Sequence, residues 1–232
     1  MILFVIAEKL ESEMLLARVK VLKEIVIENT YNSFQNILLC QYQAKKFYIA
    51  HIGVGKVNSS IMLSYCLNNL KNIDLIINLG VVGSISNLKI GTSYSIKNAF
   101  YYDVDLTVLP NYSLGKLPYI DKCFNLSESI FDEKIVNISN QFKEANILTA
   151  DKFFTKNDIN KINENFSNIS LVDMECTSLF HAAKFYNIPL LSIKTVSDNL
   201  GTNNSANQYK ENLMKCKIEI MENALKILKE FK

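Results

Sequence analysis

Short apolar runs alternate with amphipathic segments along most of this 232-residue chain, and the alternation limits the folds it can adopt. Runs typical of buried strands include residues 1–7, 74–80, 147–150 and 189–196, and the segments between them carry apolar residues at helical spacing. No linker or internal repeat interrupts the pattern. Strands that alternate with helices indicate an α/β fold. We therefore expect one domain over residues 1–232, a three-layer α/β/α sandwich with a twisted, mostly parallel mixed central sheet.

The remaining elements follow from the same periodicity. We expect further strands at 37–42, 46–52, 92–96, 100–105 and 169–173, helices at 12–22, 56–70, 128–142, 156–165 and 176–186, and a long closing helix. The segment Val81-Val82-Gly83-Ser84 is expected to turn the chain after a central strand, because glycine accepts the backbone angles of a sharp turn.

The composition argues against several kinds of partner. The net charge is +2, with lysines and acids scattered along the chain, so neither nucleic acid nor an anionic membrane is an expected partner. No window of about twenty apolar residues predicts a membrane span. The apolar start Met1 to Ala7 lacks the basic segment and the length of a signal peptide. We expect a cytoplasmic protein.

The cysteines and histidines do not predict a metal site. The chain has two histidines and five cysteines without a CxxC spacing, at positions Cys40, Cys66, Cys123, Cys176 and Cys216. An odd number of scattered cysteines is typical of buried, reduced thiols. We therefore expect no zinc.

Carboxylates stand at the ends of two apolar runs. Asp173-Met174-Glu175 follows one run, and Ser197-Asp198 follows the next. Ligands bind at the carboxyl edge of open α/β sheets, so two acids at that edge predict a site that holds a polar substrate and protonates a leaving group. Each motif also has a structural interpretation, Glu175 as a residue that complements a helix dipole and Asp198 as part of a helix cap or turn.

Two glycine-rich segments and an aromatic pair each allow two interpretations. Gly53-Val54-Gly55-Lys56 lies between a strand and a helix, where backbone N–H groups can bind an anion, but it lacks the P-loop spacing and equally suits a tight turn. Gly80-Val81-Val82-Gly83 is either a sharp turn or a place where a ligand contacts bare backbone. Phe153-Phe154 fits either the core or a wall that stacks on a flat heterocycle.

Six sequence blocks occur in an order that resembles the purine nucleoside phosphorylase/nucleosidase superfamily, and within it the bacterial 5′-methylthioadenosine/S-adenosylhomocysteine nucleosidases. The blocks are GVGKVNSS, INLGVVGSI, YYDVDLT, DKFF, VDMEC and TVSDN. The resemblance runs from residue 1 to about residue 200. It implies hydrolysis of the N-glycosidic bond of 5′-substituted adenosines, with release of adenine and a thioribose, as in methionine salvage. It implies a homodimer without a metal or organic cofactor.

The resemblance assigns roles around the purine and the ribose. Glu175 would hold the ribose hydroxyls, with Met174 packed against the sugar. Asp198, beside Ser197, would protonate purine N7. Phe153 would stack on adenine. Backbone groups of the next residue, Phe154, would read the edge of the base.

The resemblance is less definite about the attacking water and the 5′-pocket. It places the water-activating glutamate at Glu13, with Glu11 as the alternative. Tyr112 and Pro118 fall in a loop that relatives lend to the neighbouring subunit. Further substrate-binding positions are Asp173, Val54, Val81, Val82, Gly83 and Lys194.

Two departures from the family pattern leave alternatives open. Val81 stands where relatives commonly have serine, and Lys194 where they often have arginine, so a non-catalytic adenosine-binding protein remains an alternative. A phosphorylase is a second alternative, but its phosphate site needs cationic donors, typically arginines. The chain has a single arginine, Arg18, on a helical stripe. This favours water over phosphate as the nucleophile.

Overall fold

The computed structural model describes residues 1–27, 35–126, 133–201 and 205–231. Within these ranges ten strands join one sheet. They are β1 (Ile2–Ile6), β2 (Lys20–Ile25), β3 (Asn36–Tyr42), β4 (Lys45–His51), β5 (Leu75–Ser84), β6 (Ser93–Tyr101), β7 (Cys123–Asn125), β8 (Lys143–Thr149), β9 (Leu171–Asp173) and β10 (Leu190–Asn199).

The sheet is mixed, and part of it closes on itself. Its strand order is β10-β6-β8-β9-β5-β1-β4-β3-β2, with β7 attached to β6. Strand β10 also pairs with β5, so β5, β10, β6, β8 and β9 form a closed ring, and β1 to β4 extend from it. The pairings β1–β4, β1–β5 and β5–β10 are parallel, whereas β2–β3, β3–β4 and β6–β10 are antiparallel. The α/β class and the mixed sheet are confirmed; the closed ring was not foreseen.

Helices pack on this sheet and on each other. They are α1 (Glu13–Leu16), α2 (Lys56–Asn69), α3 (Glu133–Ser139), α4 (Ile159–Asn165), α5 (Cys176–Tyr186) and α6 (Ser205–Glu230). Helices α2 and α5 touch through the hydroxyls of Ser59 and Ser178, which lie 2.8 Å apart. Helix α6 lies along β10, where the Cys216 thiol contacts the carbonyl oxygen of Val196. None of the described helices is long and apolar enough to cross a membrane.

Strands β1 and β10 are buried along their whole length, which explains the apolar sequence of β1 and the apolar start of β10. All five residues of β1 and all ten of β10 are buried. Parallel strands covered on both faces read as near-continuous apolar runs. The four strands β1, β4, β5 and β10 run in the same direction, so their C-terminal ends lie at one edge. That edge carries the site described below.

Four sequence-based expectations need correction. The helix expected at 12–22 ends at Leu16, and residues Lys20–Ile25 form β2 against β3. The segment from Gly80 to Ser84 is not a turn but the end of β5, held by β10. The strands expected at 92–96 and 100–105 are one strand, Ser93–Tyr101. Part of the helix expected at 128–142 lies outside the described residues, and its described part is Glu133–Ser139.

Candidate active site

A cavity of about 260 Å³ opens at the carboxyl edge of the sheet. The residues predicted from the sequence that line it are Val54, Val81, Val82, Gly83, Phe153, Phe154, Asp173, Met174, Glu175, Ser197 and Asp198. The remaining lining residues are Ala7, Glu8, Glu11, Lys152, Val172, Leu200 and Tyr209. Glu13, Lys194, Tyr112 and Pro118 do not line it. The structure thus brings together both acidic motifs, the glycine-rich strand end and the aromatic pair.

Asp198 is directed by an irregularity near the end of β10. The register between β10 and β5 shifts between Val196 and Asp198, so Ser197 is an extra residue of the kind that re-aims side chains next to active sites. The Ser197 hydroxyl donates to Asp198 Oδ1 at 2.8 Å. Burial raises the pKa of Asp198, although this hydrogen bond opposes the shift. A carboxyl in such surroundings retains its proton at higher pH than an exposed aspartate.

Glu175 lies between β9 and the start of α5, and its carboxylate crosses to the loop after β4. The Gly55 N–H donates to Glu175 Oε1 at 3.0 Å, and both groups are buried. Gly55 has φ of 95°, a left-handed conformation that favours glycine. Burial, and next the negative charge of Asp173, raises the pKa of Glu175 to about 8.

Asp173 lines the cavity, but its carboxylate is already engaged by the protein. Its Oδ2 lies 3.0 Å from the Lys194 ammonium and accepts the Cys176 N–H at 3.0 Å. Its Oδ1 accepts the Thr149 hydroxyl at 2.6 Å. Burial alone lowers the pKa of Lys194, but the charge of Asp173 raises it overall. Asp173 and Lys194 therefore form a neutralised pair beneath the cavity, and Asp173 fixes the corner that carries Met174 and Glu175.

Glu11 occupies the cavity wall, and Glu13 does not. Both Glu11 oxygens accept backbone N–H groups, from Val81 at 3.0 Å and from Glu8 at 3.1 Å. Burial raises the pKa of Glu11. The Glu13 carboxylate points away and pairs with Lys217 at 2.7 Å, with 61% of its side chain exposed. Of the two glutamates that the sequence offers as the water-activating base, the alternative, Glu11, lines the cavity, and the preferred one, Glu13, does not.

Gly80 leaves the space in which Glu11 and Lys194 approach each other. A Cβ atom at this position would lie 3.3 Å from Glu11 Oε1 and 3.4 Å from Lys194 Nζ. Lys194 thus lies directly behind the wall of the cavity, next to the glutamate, although it does not line the cavity itself. The glycine matters here because any side chain would crowd both charged groups.

The two aromatic residues of the DKFF block have different surroundings. Phe153 is 49% exposed and lies at the mouth of the cavity. Phe154 is 3% exposed, and the centroid of its ring lies 5.1 Å from that of the Tyr102 ring. Lys152, just before them, lies 2.6 Å from Asp158. The exposed ring of Phe153 is free to stack on a flat ligand, and the buried ring of Phe154 anchors the segment in a core cluster.

Sequence reasoning missed three polar lining residues, Glu8, Lys152 and Tyr209. Glu8 follows β1 directly, so the rule that ligands bind at strand ends would have included it. Tyr209 comes from the start of α6 and carried no sequence signal. Tyr112 and Pro118 lie in residues 102–122, which contain neither helix nor strand. No group of three potential metal ligands occurs among the described residues.

One cavity is lined by a buried acid, an exposed aromatic ring and a second carboxyl group that accepts a hydrogen bond, which is the set of groups that an N-glycosidic hydrolase needs. The sequence profile of the phosphorylase superfamily matches residues 5–232. The chain is 34% identical over 202 residues to a 5′-methylthioadenosine/S-adenosylhomocysteine nucleosidase of Buchnera aphidicola subsp. Schizaphis graminum, covering 84% of this chain and 85% of the relative. It therefore belongs to the phosphorylase superfamily, in the group of the 5′-methylthioadenosine/S-adenosylhomocysteine nucleosidases.

Solved structures agree with this membership. A nucleosidase of the same description from Borrelia burgdorferi, bound to adenine, superposes with a TM-score of 0.86 at 27% identity, over 99% of both chains. Futalosine hydrolase of Helicobacter pylori superposes with a TM-score of 0.84 over 99% of this chain, and at 19% identity it shows the fold alone.

 The superposition covers 97% of the chain of that hydrolase. The mixed sheet and the position of its edge are thus those of a known nucleosidase fold.

Proposed function

We propose that this chain hydrolyses the N-glycosidic bond of 5′-methylthioadenosine, S-adenosylhomocysteine or a related 5′-substituted adenosine, releasing adenine. One observation supports the proposal most strongly. Asp198, Glu175 and Glu11 reach a single cavity from three separate elements, with the Phe153 ring at its mouth. Cleavage of an N-glycosidic bond needs groups with these roles: an acid for the base, an acceptor for the sugar and a base for water.

Asp198 is the proposed general acid. Departure of adenine develops negative charge on the purine, and protonation of N7 relieves it. A positioned acid typically contributes about 10²–10⁴ in rate, or roughly 3–5 kcal/mol. The raised pKa of Asp198 supports this role, because the carboxyl must hold a proton when the substrate binds.

Glu175 is the proposed ribose clamp. The sugar gains oxocarbenium character in the transition state, as in glycoside hydrolysis generally. Once ionised, Glu175 accepts hydrogen bonds from the ribose hydroxyls and stabilises that positive charge, so substrate binding must lower the pKa that burial raises in the ligand-free protein. The Gly55 N–H fixes one oxygen of Glu175, which leaves the other oxygen for the sugar. Met174, the preceding residue, packs against the ribose.

Glu11 is the proposed base that activates water. Its two backbone hydrogen bonds fix the carboxylate, and Lys194 lies behind it across Gly80. Water rather than phosphate suits this site. Among the described residues that line the cavity, Lys152 alone carries a cationic side chain, and that ammonium lies 2.6 Å from Asp158. A phosphate pocket needs several cationic donors.

The proposal also covers the layer arrangement, the oligomeric state and the cellular role of the protein. We propose a single-domain three-layer arrangement that forms a cytoplasmic homodimer, without metal or organic cofactor, acting in methionine salvage. The loop with Tyr112 and Pro118 would enter the neighbouring site. The exposed apolar side chains of Val108, Leu109 and Tyr119 in the same loop support a partner contact. Sedimentation of the protein alone tests this point, and a monomer at micromolar concentration would contradict it.

Adenine release is the direct test of the proposed function. Purified protein is incubated with 5′-methylthioadenosine, S-adenosylhomocysteine or 5′-deoxyadenosine, with and without phosphate, and free adenine is quantified. We expect release that does not depend on phosphate. Release only with phosphate would make the chain a phosphorylase. Binding without release over hours would make it an adenosine-binding protein.

A further inference from the structure

The cavity contains one carboxylate to which the proposed reaction gives no role. Glu11, Glu175 and Asp198 serve the water, the ribose and the base, and Asp173 is neutralised by Lys194 at 3.0 Å. Glu8 also lines the cavity, and its side chain meets the Tyr209 hydroxyl at 3.5 Å. An acid without a chemical step, placed in a substrate cavity, is a candidate for selecting the substrate.

The order of the strands separates Glu8 from Asp198, the residue proposed to contact the purine. At the carboxyl edge β5 separates β10 from β1, and β4 follows β1. Asp198 belongs to β10, whereas Glu8 follows β1 and its neighbour Val54 follows β4. Once Asp198 and Phe153 hold the base and Glu175 holds the ribose hydroxyls, the substituent on C5′ is the part of the nucleoside left to contact Glu8.

The contact between Glu8 and Tyr209 is suited to a third group. Tyr209 comes from α6, whose first turns are tied to the end of β10. The Asn199 N–H donates to Gln208 at 3.1 Å, and the Asn212 amide donates to the Ser197 carbonyl oxygen at 3.2 Å. At 3.5 Å the hydroxyl–carboxylate hydrogen bond is long, so a stronger donor can displace or share it.

We propose that Glu8, together with Tyr209, makes the site select adenosines whose 5′-substituent carries an ammonium group. This inference rests on the proposed function and narrows its substrate class. The ammonium donates to the Glu8 carboxylate and to the Tyr209 oxygen, a charge-assisted arrangement that a methylthio group cannot make. No covalent step is involved, so the effect falls on binding and on kcat/KM.

Two isosteric nucleosides test the proposal. They are 5′-S-(2-aminoethyl)-5′-thioadenosine, which carries the ammonium, and 5′-S-propyl-5′-thioadenosine, which replaces it with a methyl group. Dissociation constants for both are measured by calorimetry in the Asp198→Asn variant, where the proposed acid is absent. We expect the ammonium compound to bind about fivefold more tightly, as for a partly exposed ion pair, with a preference that shrinks at high salt.

Matched variants assign the preference to Glu8. Glu8→Gln, added to the same background, should bring the ratio of the two constants close to one, and Tyr209→Phe should reduce it. Glu13→Gln removes the same charge outside the cavity, so it should leave the ratio in place. A ratio near one before any change at Glu8, or an equal loss in Glu13→Gln, would overturn the proposal.

The proposed function and this inference can be refuted independently of each other. Turnover of the propyl compound by the parental enzyme depends on hydrolysis and not on Glu8. If it releases no adenine while the ratio of dissociation constants holds, the reaction is wrong and the selection stands. If adenine is released but Glu8→Gln leaves the ratio unchanged, the contact only holds α6 in place and the inference is refuted.

Discussion

The Lys194 ammonium lies 3.0 Å from Asp173 Oδ2, and each side chain is only 2% exposed. This pair joins β10 to β9 directly beneath the cavity. Asp173 also accepts hydrogen bonds from the Thr149 hydroxyl and the Cys176 N–H, so three protein groups hold its carboxylate in place. The pair therefore fixes the corner on which Glu175 stands and keeps a positive charge behind Glu11.

Loss of Lys194 should destabilise the protein strongly. Lys194→Met leaves the Asp173 charge buried without its partner, which costs about 3–5 kcal/mol of the free energy of unfolding. Urea denaturation measures the change. Lys97→Met is the matched control, because Lys97 pairs with Glu144 at 2.7 Å with both side chains about half exposed. Its cost should stay below about 1 kcal/mol. Equal costs in the two variants would show that the buried pair is not a structural requirement.

Replacement of Asp198 should remove the chemical step and not the fold. Asp198→Asn cannot deliver a proton to the purine, so we expect kcat to fall by about 10²–10⁴. Near-parental kcat in a folded variant would refute the assignment of the acid. Ser197→Ala is a milder companion change, because it removes only the hydrogen bond at 2.8 Å.

The two candidate water-activating glutamates are separable by paired amide variants. Glu11→Gln should lower kcat by about 10²–10⁴, because an amide cannot accept a proton from water. Glu13→Gln should retain most of the activity, since Glu13 is exposed and bound to Lys217. The opposite result, with activity lost only in Glu13→Gln, would return the base to the position favoured by the sequence.

Replacement of Phe153 should weaken substrate binding, whereas replacement of Phe154 should lower stability. Phe153→Ala should weaken binding by about 1–3 kcal/mol, the usual value of stacking on a base, and thereby raise KM. Phe154→Ala should instead lower the free energy of unfolding by about 3–5 kcal/mol, because it removes a buried ring. Steady-state kinetics and urea denaturation on both variants make the comparison. A stability loss confined to Phe153→Ala would reverse these assignments.

The stability of the ligand-free protein should fall as pH rises. The pKa of Glu175 is raised from 4.5 to about 8 in the folded protein, so between these values the folded state binds more protons than the unfolded state. Its contribution is complete below about pH 4.5 and is lost as pH approaches about 8. The raised pKa values of Glu11 and Asp198 act in the same direction. Glu175→Gln should flatten the profile, and an unchanged slope would contradict the shift.

The positions of the acids were predictable because they depend on strand ends. Apolar runs of limited length marked β9 and β10, and the polar residues at the end of each run were expected at the ligand-binding edge. Only β10 pairs with β5 in parallel, whereas β9 pairs with it antiparallel, yet both strand ends reach the cavity. That reasoning was sufficient for Glu175, Ser197 and Asp198. It was insufficient for Glu11, because the sequence pattern did not show that the first helix starts only at Glu13 and that Glu11 is held by the Val81 N–H.

The errors in the fold have a common physical cause, pairing between distant segments. The expected helix at 12–22 included residues 20–22, but Lys20–Ile25 are held as β2 by β3. The glycines in Gly80 to Ser84 suggested a turn, yet β10 pairs with them throughout. Gly83 is small for a tertiary reason, because a Cβ there would lie 2.8 Å from Leu200 and 3.3 Å from Asp198 Oδ2. Local periodicity contains no information about such contacts.

The closed ring of strands also sets when this site becomes functional during synthesis. Strand β5 begins at Leu75, but its ring partner β10 begins only at Leu190, so closure joins segments far apart in the chain. Pairing across such sequence separation is intrinsically slow. Because β9 and β10 deliver Glu175 and Asp198, a nascent chain on the ribosome cannot assemble the acid and the ribose clamp before most of it has been translated.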